Sequence, residues 1–140
     1  MIDKILKYKD NISILKGISE ENIKDIVKEC RMIKFEKGEK IIQQGDDTKN
    51  VFFLLEGGAK VMVKNKEVAH LKPRQSFGEF SVISNQKRNA TIVATKTCSV
   101  ISFILDLDIV DRHYSGFVGL YKNICNELIV KLDHANKRVS

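Results

Sequence analysis

Residues Phe77 to Ala94 read FGEFSVISNQKRNATIVA, and this stretch breaks the pattern of everything around it. From Met32 to Leu105 the sequence is otherwise a series of short apolar or alternating segments: Met32 to Phe35, Lys40 to Gln43, Val51 to Leu55, Lys60 to Val63, Val68 to Leu71, Thr91 to Ala94 and Val100 to Leu105. Gly38, Gly45-Asp46-Asp47, Gly57-Gly58 and Asn65 supply turns between them. That density of short strands predicts a small antiparallel barrel or jelly roll. Within it, Glu79 to Ser84 departs from strand periodicity and reads as one helical turn inserted between strands, with Gly78 before it.

The flanks are helical. Ser19 to about Cys30 predicts a short helix: Ser19 caps it, Glu20 and Glu21 suit the positive end of its dipole, and Ile23, Ile26 and Val27 form one apolar stripe. At the other end Phe117, Leu120, Tyr121, Ile124, Leu128 and Leu132 recur every three or four residues, the face of a long carboxy-terminal helix. A shorter helix is expected around Leu107 to His113, with Gly116 at or near the junction as a hinge. With no internal repeat and no Pro-rich linker, residues 1–140 form a single α+β domain. Its parts are a helical segment (1–31), an antiparallel jelly-roll barrel of the double-stranded β-helix type (32–105) and carboxy-terminal helices (106–140).

Composition narrows the function classes. The chain is 43% hydrophobic and 30% charged, as in a soluble globular protein. No apolar run approaches the roughly 20 residues of a membrane span, and the amino terminus has no secretory signal, so a cytoplasmic location is expected. Cys30, Cys98 and Cys125 have neither disulfide nor metal spacing and read as reduced packing residues. His70, His113 and His134 show no metal-ligand spacing, Asp108 and Asp111 lie too close to His113 for catalysis, and no nucleophile–base pair is visible. Neither catalytic residues nor a metal nor a cofactor is expected. The net charge of +6 allows anionic partners. The lysines are spread along the chain, however, and no groove-entering motif argues for nucleic acid. The basic cluster Lys131, Lys137 and Arg138 reads as a solvated helix end.

The inserted turn carries the chemistry. A helix amino terminus behind a glycine exposes backbone N–H groups and a partial positive charge, which suits a phosphate. Arg88 follows with a forked donor set able to complete the anion's coordination. Glu79, an acceptor when ionised, cannot hold a phosphate but suits a hydroxyl donor such as a ribose 2'-OH. Carboxylate and guanidinium together therefore fit a ligand that bears both a sugar hydroxyl and a phosphate.

Phe77-Gly78-Glu79, then eight residues, then Arg88-Asn89-Ala90-Thr91, resembles the phosphate-binding cassette of the cyclic nucleotide-binding domain family. That family includes catabolite-activator-type transcription factors, kinase regulatory subunits and cyclic-nucleotide-gated channels. The upstream segment KGEKIIQQGDDTKNVFFLLEGGAKVMV (residues 37–63) is similar to a second signature of the family. The resemblance extends from about Ile18 to the end of the chain. It implies a site at Phe77, Gly78, Glu79, Phe80, Ser81, Arg88, Asn89 and Ala90. Glu79 would accept from the ribose 2'-OH, Arg88 would contact the cyclic phosphate, Gly78 and Ser81 would offer backbone N–H groups, and Asn89 would reach phosphate or base. Asn89 stands where a hydroxyl residue in the family tends to help guanine, which favours cyclic AMP over cyclic GMP.

Two positions depart from the family pattern: Lys87 stands where Pro is frequent and Arg74 where Gly is. The implied mechanism is a stand-alone sensor that signals to an effector protein through its carboxy-terminal helices, with Tyr121, Ile124 or Leu128 closing on the base. The long helix is also a candidate homodimer surface. The DNA-reading module common in bacterial members is not expected within these 140 residues. The competing reading is a barrel without ligand, in which Glu79 and Arg88 form only an ion pair and the domain serves interaction or dimerisation.

Overall fold

Alternation decides which way each strand faces, and two strands have no solvent face. In Asn50–Glu56 (β3) Val51 and Phe53 point to one side and Phe52 and Leu54 to the other, and all four are buried. In Cys98–Ile104 (β8) Ile101 and Phe103 share the first side, and Cys98 and Val100 the second. These strands are the middle of a three-layer arrangement in a computed structural model that describes residues 2–104 and 114–139.

The middle layer is a sheet of order β1-β8-β3-β6, with β1 at Cys30–Phe35 and β6 at Ser76–Phe77. The outer layer has the order β2-β7-β4-β5, from Lys40–Ile42 (β2), Thr91–Ala94 (β7), Ala59–Val63 (β4) and Lys66–Leu71 (β5). Every pairing is antiparallel. Together they make the expected jelly roll, with Ile42, Phe52, Leu54, Leu71, Phe77 and Ile92 among the side chains packed between the sheets. Gly38, Gly45, Gly57 and Asn65 all take positive φ, the backbone that their turns require. Gly57 is the most constrained, because a Cβ there would lie 2.5 Å from the Thr97 carbonyl oxygen.

Helices cover the other face of the middle sheet. Ile2–Tyr8 (α1), two 3-10 turns at Lys9–Asn11 and Ser13–Leu15, and Glu20–Val27 (α2) pack there with Tyr114–Val139 (called α4, after the inserted helix α3 at Glu79–Ser84). Ser19 caps α2 as expected, its hydroxyl accepting from the Asn22 amide at 3.2 Å. The predicted strands all form, most of them longer by a residue or two. The two-residue β6 went unread because it is too short for periodicity.

Two expectations change. Gly116 lies in the first turn of α4, where its missing Cβ lets the helix approach Asn22 and Ile26, so close packing accounts for this glycine without a hinge. Leu132 is 63% exposed, so it does not share the buried face of Phe117, Leu120 and Ile124. The predicted helix at Leu107 to His113, with Asp108 and Asp111, lies outside the described residues. Among the described residues no helix is long and apolar enough to cross a membrane.

Candidate functional site

The short helix α3 sits at the end of β6. Phe77 stacks on Phe52 of β3 with ring centroids 5.3 Å apart, anchoring the chain just before it turns. Gly78 then takes φ +83° and Asn85, after the helix, φ +55°, so left-handed residues bracket the helix at both ends. Lys49 closes its far end, with Nζ donating to the carbonyl oxygens of Gln86 (2.8 Å) and Ser81 (3.3 Å), where the helix dipole favours a cation. Phe80 and Ile83 are both exposed.

Arg88 is 4% exposed and held by the barrel and the inserted helix together. Its Nε donates to Thr48 Oγ1 (3.0 Å), Nη1 to the Gly78 carbonyl (2.8 Å) and Ser81 Oγ (2.6 Å), and Nη2 to the Asn50 carbonyl (2.7 Å). Four of its five N–H groups are thereby used, leaving one on Nη2. The backbone of the same residue is fixed too: its amide donates to the Asp46 carbonyl and its carbonyl accepts from the Gly45 amide. Burial lowers the guanidinium pKa, while Asp46 and Glu79 oppose that shift. An arginine with so high an ordinary pKa keeps its charge at neutral pH.

Glu79 is 3% exposed and is held differently. Lys131 of α4 places Nζ 2.8 and 2.9 Å from the two carboxylate oxygens and 2.8 Å from the Ser76 carbonyl, so each of its three N–H groups has an acceptor. Lys131 is therefore part of the site and not of a solvated helix end. It takes the helix position next to the one expected for Leu132. The inward edge of the helix runs through Phe117, Tyr121, Ile124 and Leu128, of which Phe117 and Ile124 are buried and the other two partly so, and the same alternation of four and three residues continues to 131. That signal was present in the sequence, hidden because the residue it reaches is charged.

Between α3, the outer sheet and α4 lies a cavity of about 750 Å³. All eight residues expected at the site stand in its wall: Phe77, Gly78, Glu79, Phe80, Ser81, Arg88, Asn89 and Ala90. Val61, His70 and Leu71 contribute from the outer sheet, and Leu128, Lys131 and His134 from α4. Of the three side chains expected to close on a base, only Leu128 lines the cavity, since Ile124 is buried in the helix-side core and Tyr121 packs against it. Thr48, Lys49 and Asn50, which fix Arg88 and α3, escaped the sequence reading because their loop contacts depend on the fold. Arg74, standing where the family often has Gly, takes φ +73° and so occupies a glycine-type backbone position. Ser76 Oγ, beside these groups, is buried without a hydrogen-bond partner among the described residues.

The jelly roll, its glycine-led helical insert and the buried carboxylate and guanidinium around one cavity place the chain among jelly-roll domains with a helical cassette. The chain belongs to the cyclic nucleotide-binding domain family, whose sequence profile matches residues 32–106. It is 32% identical over 98 residues to a cAMP-dependent protein kinase regulatory subunit of Yarrowia lipolytica, covering 69% of this chain and 26% of that protein. It is 29% identical over 121 residues to a cGMP-dependent protein kinase of Plasmodium berghei, covering 86% of this chain and 14% of that one. The chain thus spans about a quarter of the length of the first of these curated relatives and about a seventh of the second. In structure it is similar to the catabolite activator protein of Thermus thermophilus (TM-score 0.75, 17% identity, covering 91% of this chain and 61% of the other), a likeness of fold.

Proposed function

We propose that this domain binds a purine 3',5'-cyclic monophosphate, cyclic AMP in preference to cyclic GMP, and reports its presence to another protein through α4. The observation that carries the reading is that one cavity is walled both by the cassette and by α4. A ligand there meets Glu79 and Arg88 on one side and Leu128 and Lys131 on the other, so occupancy and helix position are linked. Relatives named for dependence on cAMP and on cGMP support the ligand class without choosing the base. The preference for adenine rests on Asn89. The output surface is the side of α4 turned away from the cavity, where Ile129 and Leu132 are exposed. They suit an effector protein or a second copy of the chain, and the domain itself acts as a binder without catalysis.

The test is a thermal-shift and calorimetric titration with cyclic AMP, cyclic GMP and linear 5'-AMP. Binding to the native state raises the melting temperature by mass action. The expected order is cyclic AMP, cyclic GMP, then 5'-AMP, whose extra charge and freedom fit the cassette poorly. No heat and no shift at millimolar cyclic nucleotide would instead favour the second reading, a ligand-free interaction module. One observation speaks for that alternative: Lys131 and most of Arg88 already have all their hydrogen-bond partners inside the protein.

A further inference from the structure

We infer that the outward face of the outer sheet is a docking groove for an extended acidic segment of a partner protein, one whose carboxylates flank an apolar side chain. The inference does not depend on the cyclic nucleotide reading, because it concerns the other side of the same strands. Alternation along β7 and β4 sends Ile92 and Val61 to the cassette cavity. It sends Thr91, Val93, Lys60 and Met62 to a second cavity, of about 620 Å³, on the opposite face. The register then sets three lysines around an apolar floor. Lys40 of β2 and Lys60 of β4 both pair with Val93 of β7, so they flank it, about 10 Å apart across the sheet. Met62 and Thr91 form the next outward pair, and Lys64 follows one residue past the end of β4, about 13 Å along the chain from Lys60.

Charge and floor together select the occupant. Among the described residues none of these three lysines has an ion-pair partner, whereas Lys49 and Lys131 are each matched to an acid. Among the described residues the groove also has no carboxylate of its own, no aromatic ring for a base to stack on and no arginine fork for a phosphate. Its positive charge within a chain of net +6 favours an acidic partner over a second copy. Met62 and Val93 are half-buried and give the space between the cations an apolar surface. An extended peptide presents every second side chain on one face. Acids four residues apart therefore reach Lys60 and Lys64, and the residue midway between them meets Met62.

The test is fluorescence anisotropy of the full chain with a labelled peptide of Glu-Thr-Leu-Thr repeats, which sets a glutamate at every fourth residue and a leucine midway. The expected result is binding that salt weakens. Lys60→Gln and Lys64→Gln should each weaken it about two- to fivefold, the scale of one exposed ion pair. The triple variant Lys40→Glu, Lys60→Glu, Lys64→Glu should abolish it while melting near the parent; should that variant unfold, the two single variants still decide. A probe with serine in place of leucine should bind more weakly than the original. Amide shifts on adding the peptide should cluster at Lys60 to Asn65 and Thr91 to Val93. Three results would each overturn the proposal: no binding by the parent at millimolar peptide, equal binding by parent and lysine variants, or equal binding of the serine and leucine probes. Tighter binding of an oligothymidylate of matching charge would overturn it as well, in favour of nucleic acid. Failure of the nucleotide titration would leave it standing, because that titration reads the other face of the sheet.

Discussion

Glu79 and Arg88 stand at opposite ends of one cassette, are equally buried, and are anchored in opposite ways. Arg88 is gripped by Thr48, Asn50, Gly78 and Ser81, none of them on α4. Glu79 is gripped by one side chain of a helix that leaves the barrel. The difference teaches that burial alone does not tell a structural charge from a switchable one. What matters is whether the partner is part of the scaffold or belongs to an element that can move.

The contrast can be broken most severely at the arginine end. Arg88→Ala removes four hydrogen bonds from a buried charge and leaves their acceptors to find water, so the variant should lose about 3 kcal/mol of stability or more. Calorimetric melting should detect a fall of roughly 10 °C, with nucleotide binding lost as well. A melting temperature equal to the parent's would mean that the guanidinium is not structural. Gly78→Ala attacks the same end from the backbone. Its φ of +83° is unfavourable for any side chain, and the new Cβ would lie 2.9 Å from Arg88 Nη1 and 3.1 Å from the Asn50 carbonyl oxygen. About 2 kcal/mol should be lost, visible as a lower urea midpoint with an unchanged slope.

The carboxylate end should respond in affinity and not in stability. Glu79→Gln keeps the shape but replaces the partner of a lysine that is itself nearly half exposed, so the folded state should change by about 1 kcal/mol or less. Binding of a cyclic nucleotide should weaken roughly tenfold, since a charge-assisted acceptor becomes a neutral one. Denaturation and titration of the same sample would show whether the two effects separate. The mildest sharpening is ionic. Raising salt from about 0.05 to 0.5 M should speed hydrogen exchange in α4 beyond Leu128 by a few-fold, while the strands around Arg88 stay unchanged.

The barrel was legible because strand alternation and turn chemistry are local. Gly38, Gly45, Gly57 and Asn65 mark real left-handed turns, and Glu79–Ser84 is a helix with the predicted bounds. The residues that the family likeness carried to the site also line one cavity. What the sequence concealed were partnerships across long stretches of chain, such as Arg88 with Thr48 and Lys131 with Glu79, because no periodicity links a loop to a distant side chain. The charged residue on the inner edge of α4 was hidden for a further reason. Apolar stripes are read by looking for apolar residues, and Lys131 continues the geometry of the stripe while abandoning its chemistry.

Asn123 extends the reach of α4 in the other direction. Its side-chain amide donates to the carbonyl oxygens of Ile14 (2.8 Å) and Lys16 (2.9 Å), and nearby Gly119 lets the helix settle against Ile18. The long helix is therefore clasped to the amino-terminal helices at one end and to the cassette at the other. A displacement that begins at Lys131 acts on a body whose far end is stitched to residues near the start of the chain. For the design of a biosensor, this makes the amino-terminal helices as useful a place for a fluorophore as α4, since the two are coupled through the Asn123 amide and the shared core of Phe117, Leu120 and Ile124.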